Sequence, residues 1–167
     1  MNQGIESRLI IHKILSDIKL KSINFDIAYN EATKNKKISS EDHKFIYNAV
    51  FTTLRNFILP TKIIKTIATK IDLDSDSYFL LLSSLSQILF LNIKEYAVVN
   101  SMVELSKLKS INSSPKFING CLRSFLRKKN EFIKFEIFFE DLPNWFKANI
   151  KKITKKEKSD LIKNILE

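Results

Sequence analysis

The chain has 167 residues, 44% of them hydrophobic, which is enough for one domain with a real core and too apolar for wholesale disorder. Its 28 basic residues against 18 acids give a formal charge of +10, which points to a polyanionic partner, nucleic acid or an anionic membrane. The single cysteine, Cys121, excludes an internal disulfide framework and a thiolate metal cluster and suits a reducing, cytoplasmic setting.

Three prolines and two glycines leave few breakers, and apolar residues recur at helical spacing from end to end. A first helix is expected from about Ile5 to Lys19, with Ile5, Leu9, Ile14 and Ile18 on one face. Charges interrupt its apolar pattern and no small-residue cleavage site follows, so a signal peptide is not expected there. A short helix follows over about Phe25 to Lys34. Ser39 and Ser40 are good caps, with Asp42 three residues after Ser39, so a third helix begins there and is expected to run to near Pro60. Thr61 is then expected to cap a short fourth helix. "DLDSDS" (72–77) is a polar break that places acids at a helix N-terminus, where the dipole favours them.

"YFLLLSSLSQILFL" (78–91) is the most apolar stretch, but it falls short of the roughly 20 residues that span a bilayer. It is expected to be a buried central helix, with Gln87 making a buried hydrogen bond. No membrane association is expected. Asn92 is expected to cap the next helix, "KEYAVVNSMVELSKL", and Ser113 or Ser114 the one after, where Pro115 is tolerated in the first turn. "LPNWFKANIKK" and "TKKEKSDLIKNILE" predict two more helices, the second with Thr154 and Glu157 at capping-box spacing. The expected class is an all-α helical bundle.

Residues 113–130, "SSPKFINGCLRSFLRKKN", carry the most informative pattern. Placed on a helix, Phe117, Ile118, Cys121, Leu122, Phe125 and Leu126 gather on one half. Lys116, Arg123 and Arg127 align on the other, with Asn119 and Asn130 beside them and Lys128 and Lys129 following. Gly120 lies at the edge of the basic stripe, although glycine inside a helix costs about 1 kcal/mol relative to alanine. A missing side chain there would let a phosphate or a neighbouring helix approach the backbone. A solvated polar face is the ordinary reading of such charge, and A+T-rich coding explains part of the lysine excess. Two features argue for more. Leu105 to Asn130 holds seven basic residues and no acid, and two of the chain's four arginines fall on this stripe. Arginine's planar fork suits phosphate.

The remaining candidates read as structure. Lys147, Lys151, Lys152, Lys155, Lys156 and Lys158 read as solvation of the terminal helices. Cys121 and Trp145 are expected in packing roles, and Arg55 in a buried or inter-bundle ion pair. His12 and His43 lack evident ligand partners, and Asp72, Asp74 and Asp76 lack the glycine and closing glutamate of a calcium loop. No metal site, cofactor or catalytic residue is expected.

Four stretches, "DHKFIYNAVFTTLR" (42–55), "LLLSSLSQILFLNI" (80–93), "EYAVVNSMVELSKL" (95–108) and "KFINGCLRSFLRK" (116–128), resemble the NusB-like helical domain family. That family includes the antitermination factor NusB and the N-terminal domain of the rRNA cytosine-C5 methyltransferases called RsmB or Sun. Asn119-Gly120 matches the family's Asn-Gly. Arg123 and "LPNWF" (142–146) resemble the methyltransferase branch, while nothing resembles its cofactor loop or catalytic Pro-Cys. Thr52 or Thr53, Ser84 and Ile11 stand where the family has small residues, glycine or alanine.

The resemblance implies two sub-bundles, about 1–58 and 59–130, with a C-terminal helical extension over about 131–167. It implies a non-catalytic domain that binds ribosomal RNA or its precursor, in antitermination or in recruiting rRNA modification. It also admits the N-terminal part of a methyltransferase whose catalytic half is separate, or a module that binds a small ribosomal protein. The RNA-binding residues it points to are Arg8, Lys116, Asn119, Gly120, Arg123, Arg127 and Lys128.

Overall fold

The computed structural model describes residues 3–150 and 153–166. Among them ten helices follow in order: α1 (Gln3–Lys21), α2 (Phe25–Thr33), α3 (Ser40–Arg55), α4 (Ile58–Ile67), α5 (Asp76–Phe90), α6 (Glu95–Leu105), α7 (Pro115–Arg127), α8 (Lys129–Phe132), α9 (Asn144–Asn149) and α10 (Lys155–Leu166). A 3₁₀ turn spans Phe139–Asp141, and no strand occurs among the described residues.

The helix starts follow local chemistry. Ser39, Ser75 and Ser114 each accept a hydrogen bond from an amide of the first turn. Thr154 and Glu157 close a reciprocal box at α10, as the spacing predicts. The starts of α4 and α6 differ from expectation. α3 stops at Arg55, and α4 begins at Ile58 with Pro60 inside its first turn, where a missing N–H costs nothing. Thr61 therefore caps nothing; its hydroxyl pairs with the Tyr78 hydroxyl at 2.8 Å. Asn92 does not cap α6 either. It takes a left-handed conformation (φ 52°), which asparagine tolerates, and ends α5.

α5 is the axis of the molecule. Tyr78 through Ile88 are all buried, and α1, α3, α4, α6 and α7 pack against α5. α1 also packs on α2, α3 and α6. Ile10, Ile11, Ile14 and Leu15 of α1 join Ile46 and Val50 of α3 and Leu122 and Phe125 of α7 in one continuous core. Burying each such side chain contributes about 1.5–3 kcal/mol.

Of the residues that stand where the resemblance implies smaller ones, Thr52 is half-buried and three join the core. Ile11, Thr53 and Ser84 are fully buried. The hydroxyls of Thr53 and Ser84 donate back to the carbonyls of Ala49 (2.7 Å) and Leu80 (2.6 Å), so neither needs an outside partner.

A second, small cluster of Ile58, Leu142 and Ile162 holds the C-terminal segment against α4. Lys62 reinforces it. Its ammonium reaches Asp141 at 2.7 Å and the Glu136 carbonyl at 2.9 Å, and lies over the Phe138 ring. Trp145 is not the expected anchor. It is 68% exposed and touches Phe146 edge-on, while Leu142 supplies the buried contact.

Candidate nucleic-acid interface

α7 is built as an amphipathic helix with one side committed to the core. Pro115 occupies its first position and Ser114 its cap. Ile118, Cys121, Leu122 and Phe125 are buried, and burial pushes the Cys121 thiol pKa up, as befits a packing residue. The expected continuation through Asn130 fails. α7 ends at Arg127, Lys128 breaks the helical backbone, and α8 turns so that Phe132 is buried and its ring lies 6.1 Å from that of Phe125. Lys129 leaves the stripe in this turn and pairs with Glu95 of α6 at 2.7 Å.

The other side of α7 presents Lys116, Arg123 and Arg127, all exposed, with Lys128 exposed at the helix end. Lys116 and Arg123 are two turns apart, about 10 Å along the axis, and Arg127 lies about 6 Å further. No ion pair forms at any of the four among the described residues. By contrast, Lys13, Lys19, Lys21, Lys36, Lys62, Lys107 and Lys129 each lie within 3.3 Å of a carboxylate. The stripe is therefore uncompensated charge, not one more mixed-sign face. Asn119 accepts from Arg123 Nε at 3.1 Å, which holds the guanidinium against the helix and leaves its terminal NH₂ groups for a ligand. Gly120 is exposed, and a Cβ built there would meet nothing within 4 Å.

Arg8 does not join this group. It is 8% exposed and donates from Nε to Gln87 Oε1 at 3.0 Å and from a terminal nitrogen to the Gly4 carbonyl at 2.9 Å. Its guanidinium lies over the Phe45 ring, and burial lowers its pKa. The Nε bond ties α1 to α5, and the second bond stays within α1. The buried hydrogen bond expected of Gln87 is thus the bond to Arg8, with a second to Ser83 at 2.9 Å. Arg55 is likewise not in the expected ion pair: it is exposed at the end of α3, with no carboxylate partner among the described residues.

Lys155 and Lys156 are exposed, Lys158 lies over the Phe139 ring, and Lys147 donates to the Glu140 carbonyl. Lys151 and Lys152 lie outside the described residues. Phe117, expected on the apolar side of α7, is 38% exposed. Its position on the helix wheel, at the border of the two faces, was the only signal in the sequence.

His12 Nε2 is buried 3.1 Å from Asp76 Oδ1 but makes no well-formed hydrogen bond, and His43 meets the Tyr29 hydroxyl. His12, Asp17 and Asp76 line a cleft of about 430 Å³ beside α1, whose charges are largely paired internally. Asp72 and Asp74 shape their own loop, Asp74 pairing with Lys19 at 2.8 Å. Among the described residues, no group of three or more His, Cys, Asp or Glu side chains could hold a metal ion, and no helix is long and apolar enough to cross a membrane.

No curated protein sequence matches this chain. Two solved structures share its fold. A crystal structure described as a plectonemic RNA supercoil contains a chain 21% identical, with a TM-score of 0.67, covering 81% of this chain and 100% of that one. The crystal structure of antitermination factors NusB and NusE in complex with dsRNA contains one 22% identical, with a TM-score of 0.61, covering 76% of this chain and 98% of that one. The NusB family profile matches residues 5–127, from the first turn of α1 to the last residue of α7. That stretch includes the central helix and the whole basic helix, and on it the chain belongs to the NusB family.

Proposed function

We propose that this chain is a non-catalytic RNA-binding domain that grips ribosomal RNA or its precursor through phosphate contacts from α7. The observation that carries this reading is the unpaired stripe of Lys116, Arg123 and Arg127, extended by Lys128, on the face of α7 turned away from the core. Phosphate contacts supply affinity and register without reading sequence, so they suit a domain that positions RNA for other factors. The related fold of NusB crystallised with NusE and dsRNA supports an antitermination role.

The test is anisotropy binding of the purified chain to fragments of ribosomal RNA precursor and to an unrelated RNA, at several salt concentrations. Salt-sensitive binding that Arg123→Gln/Arg127→Gln weakens supports the reading. Absence of binding at low salt rejects it.

Two further readings have their own support. The NusB structure contains NusE, so a small ribosomal protein is a natural second partner, and co-purification with and without nuclease tests whether RNA bridges the two. Arg123, within the family-matched residues, and the Leu142–Phe146 segment beyond them resemble the methyltransferase branch and favour recruitment of rRNA modification by a methyltransferase domain. Gene sequence beyond Glu167 tests that relation directly. The purified chain itself is expected neither to bind S-adenosylmethionine nor to methylate RNA, which calorimetry checks.

A further inference from the structure

Gly120 is unexplained by the chain's own packing. It lies inside the helix α7 and has no positive φ to require glycine. A Cβ there would meet nothing within 4 Å, so no neighbouring helix excludes a side chain. The helix nevertheless bears the propensity cost of glycine in its middle. Side chains three and four residues away are the neighbours on a helix surface, here Lys116 and Phe117 before it and Arg123 and Ser124 after it. All four stand more than 4 Å from the missing Cβ. The result is an open notch floored by helix backbone, with a cation at each end.

Phe117 borders that notch. It is 38% exposed on a helix where Ile118, Leu122 and Phe125 are fully buried and Leu126 is half-buried. An exposed ring one turn from bare backbone and two unpaired cations has the makings of a stacking platform, since every nucleobase offers a π-face. Arg123 is already held by Asn119 through Nε, which leaves its terminal NH₂ groups for a phosphate.

We propose that Gly120 and Phe117 form a seat for one unpaired nucleotide of RNA. Its ribose-phosphate lies directly on the α7 backbone between Lys116 and Arg123, and its base stacks on Phe117. This rests on the RNA-binding reading above and adds to it a contact mode, a base-stacking residue and a preference for unpaired RNA. Glycine is required because a side chain at 120 would occupy the space of the sugar and phosphate.

The test compares three probes of equal length: oligouridylate, an abasic ribose-phosphate oligomer, and an RNA duplex. Gly120→Leu keeps good helix propensity and all charges. It is expected to weaken binding of both single-stranded probes about tenfold, with an unchanged salt slope and no fall in melting temperature. Phe117→Leu is expected to weaken oligouridylate roughly fivefold or more, in line with the stacking contribution per base, and to leave the abasic probe unaffected. Wild-type binding with full affinity retained by Gly120→Leu overturns the seat alone. So does a fall in melting temperature in Gly120→Leu, which would give the glycine an internal role. Equal loss on both probes in Phe117→Leu, or a wild-type preference for the duplex, also overturns it. If the wild type binds none of the probes, the RNA-binding reading falls and the seat with it.

Discussion

Arg8 Nε donates to Gln87 Oε1 at 3.0 Å, joining residues 79 apart in sequence across the interface of α1 and the central helix α5. Both side chains are buried, so each satisfies a polar group that would otherwise be stranded in the core. Removing one partner should therefore cost more than the bond itself contributes. Arg8→Ala and Gln87→Ala are each expected to destabilise by about 1–3 kcal/mol in urea unfolding, with the double variant losing less than the sum. An arginine serving only RNA would show no such coupling. At temperatures where both proteins are folded, Arg8→Ala should retain most of the RNA affinity.

The α7 stripe predicts a different signature. Replacing Arg123 and Arg127 with glutamine keeps helix propensity and removes two unpaired charges. The slope of log affinity against log salt should shrink by roughly 1 to 2, each lost phosphate contact on a single strand accounting for about 0.7. Arginine-to-lysine at both positions should keep most of the slope and lose some affinity, because charge persists without the bidentate geometry. Glutamine at Lys155 and Lys156 should do clearly less. Equal effects at the two places would mean diffuse attraction and not a site.

His12 makes stability depend on mild acidity. Burial lowers its pKa below the ordinary 6.5, with Asp76 and Asp17 offsetting only part of this and Lys13 adding to it. In the window below 6.5 the unfolded chain binds a proton that the folded chain refuses. Stability is thus full above 6.5 and falls as the pH drops through the window, by at most about 1.4 kcal/mol per pH unit. Asp17 acts elsewhere. Desolvation works against its charge, but hydrogen bonds from Lys13 and Lys21 hold its pKa below 3.8, so its contribution is lost only at lower pH. Urea midpoints between pH 7.5 and 5 should fall in the wild type and flatten in His12→Gln.

The C-terminal segment should open before the rest. It rests on the small cluster of Ile58, Leu142 and Ile162 and on the bonds from Lys62, while α5 sits in the main core. Leu142→Ala removes the most buried member of that cluster. Amide exchange in α9 and α10 is expected to speed up with little change in α5, as for separate opening units. Uniform acceleration throughout would show that the two clusters unfold together.

The helices were legible because their signals are local. Ser39 with Asp42, Ser114 with Pro115, and Thr154 with Glu157 act within one turn of themselves. The apolar run 78–91 needed no partner to be read as a core helix. The stripe of Lys116, Arg123 and Arg127 was legible for the same reason, since helical spacing alone puts three cations on one side and Ile118, Leu122 and Phe125 on the other.

Where a charged or aromatic side chain ends up is a different kind of question. Arg8 and Arg123 are the same residue type on two helices of one bundle. One is buried because Gln87, far along the chain, offers an acceptor; the other stays outside because nothing packs over it. Lys129 left the stripe because Phe132 found the core and Glu95 lay within reach. Trp145 is exposed while Leu142 fills the contact with Ile58 and Ile162. By itself the sequence determined the all-helical class, the main caps, the central helix and the basic side of α7, all set by periodicity and by groups a few residues apart. The tertiary structure decided which cations are spent inside, which remain for a ligand, and that Gly120 faces open space, because burial and pairing depend on distant segments that only folding brings together.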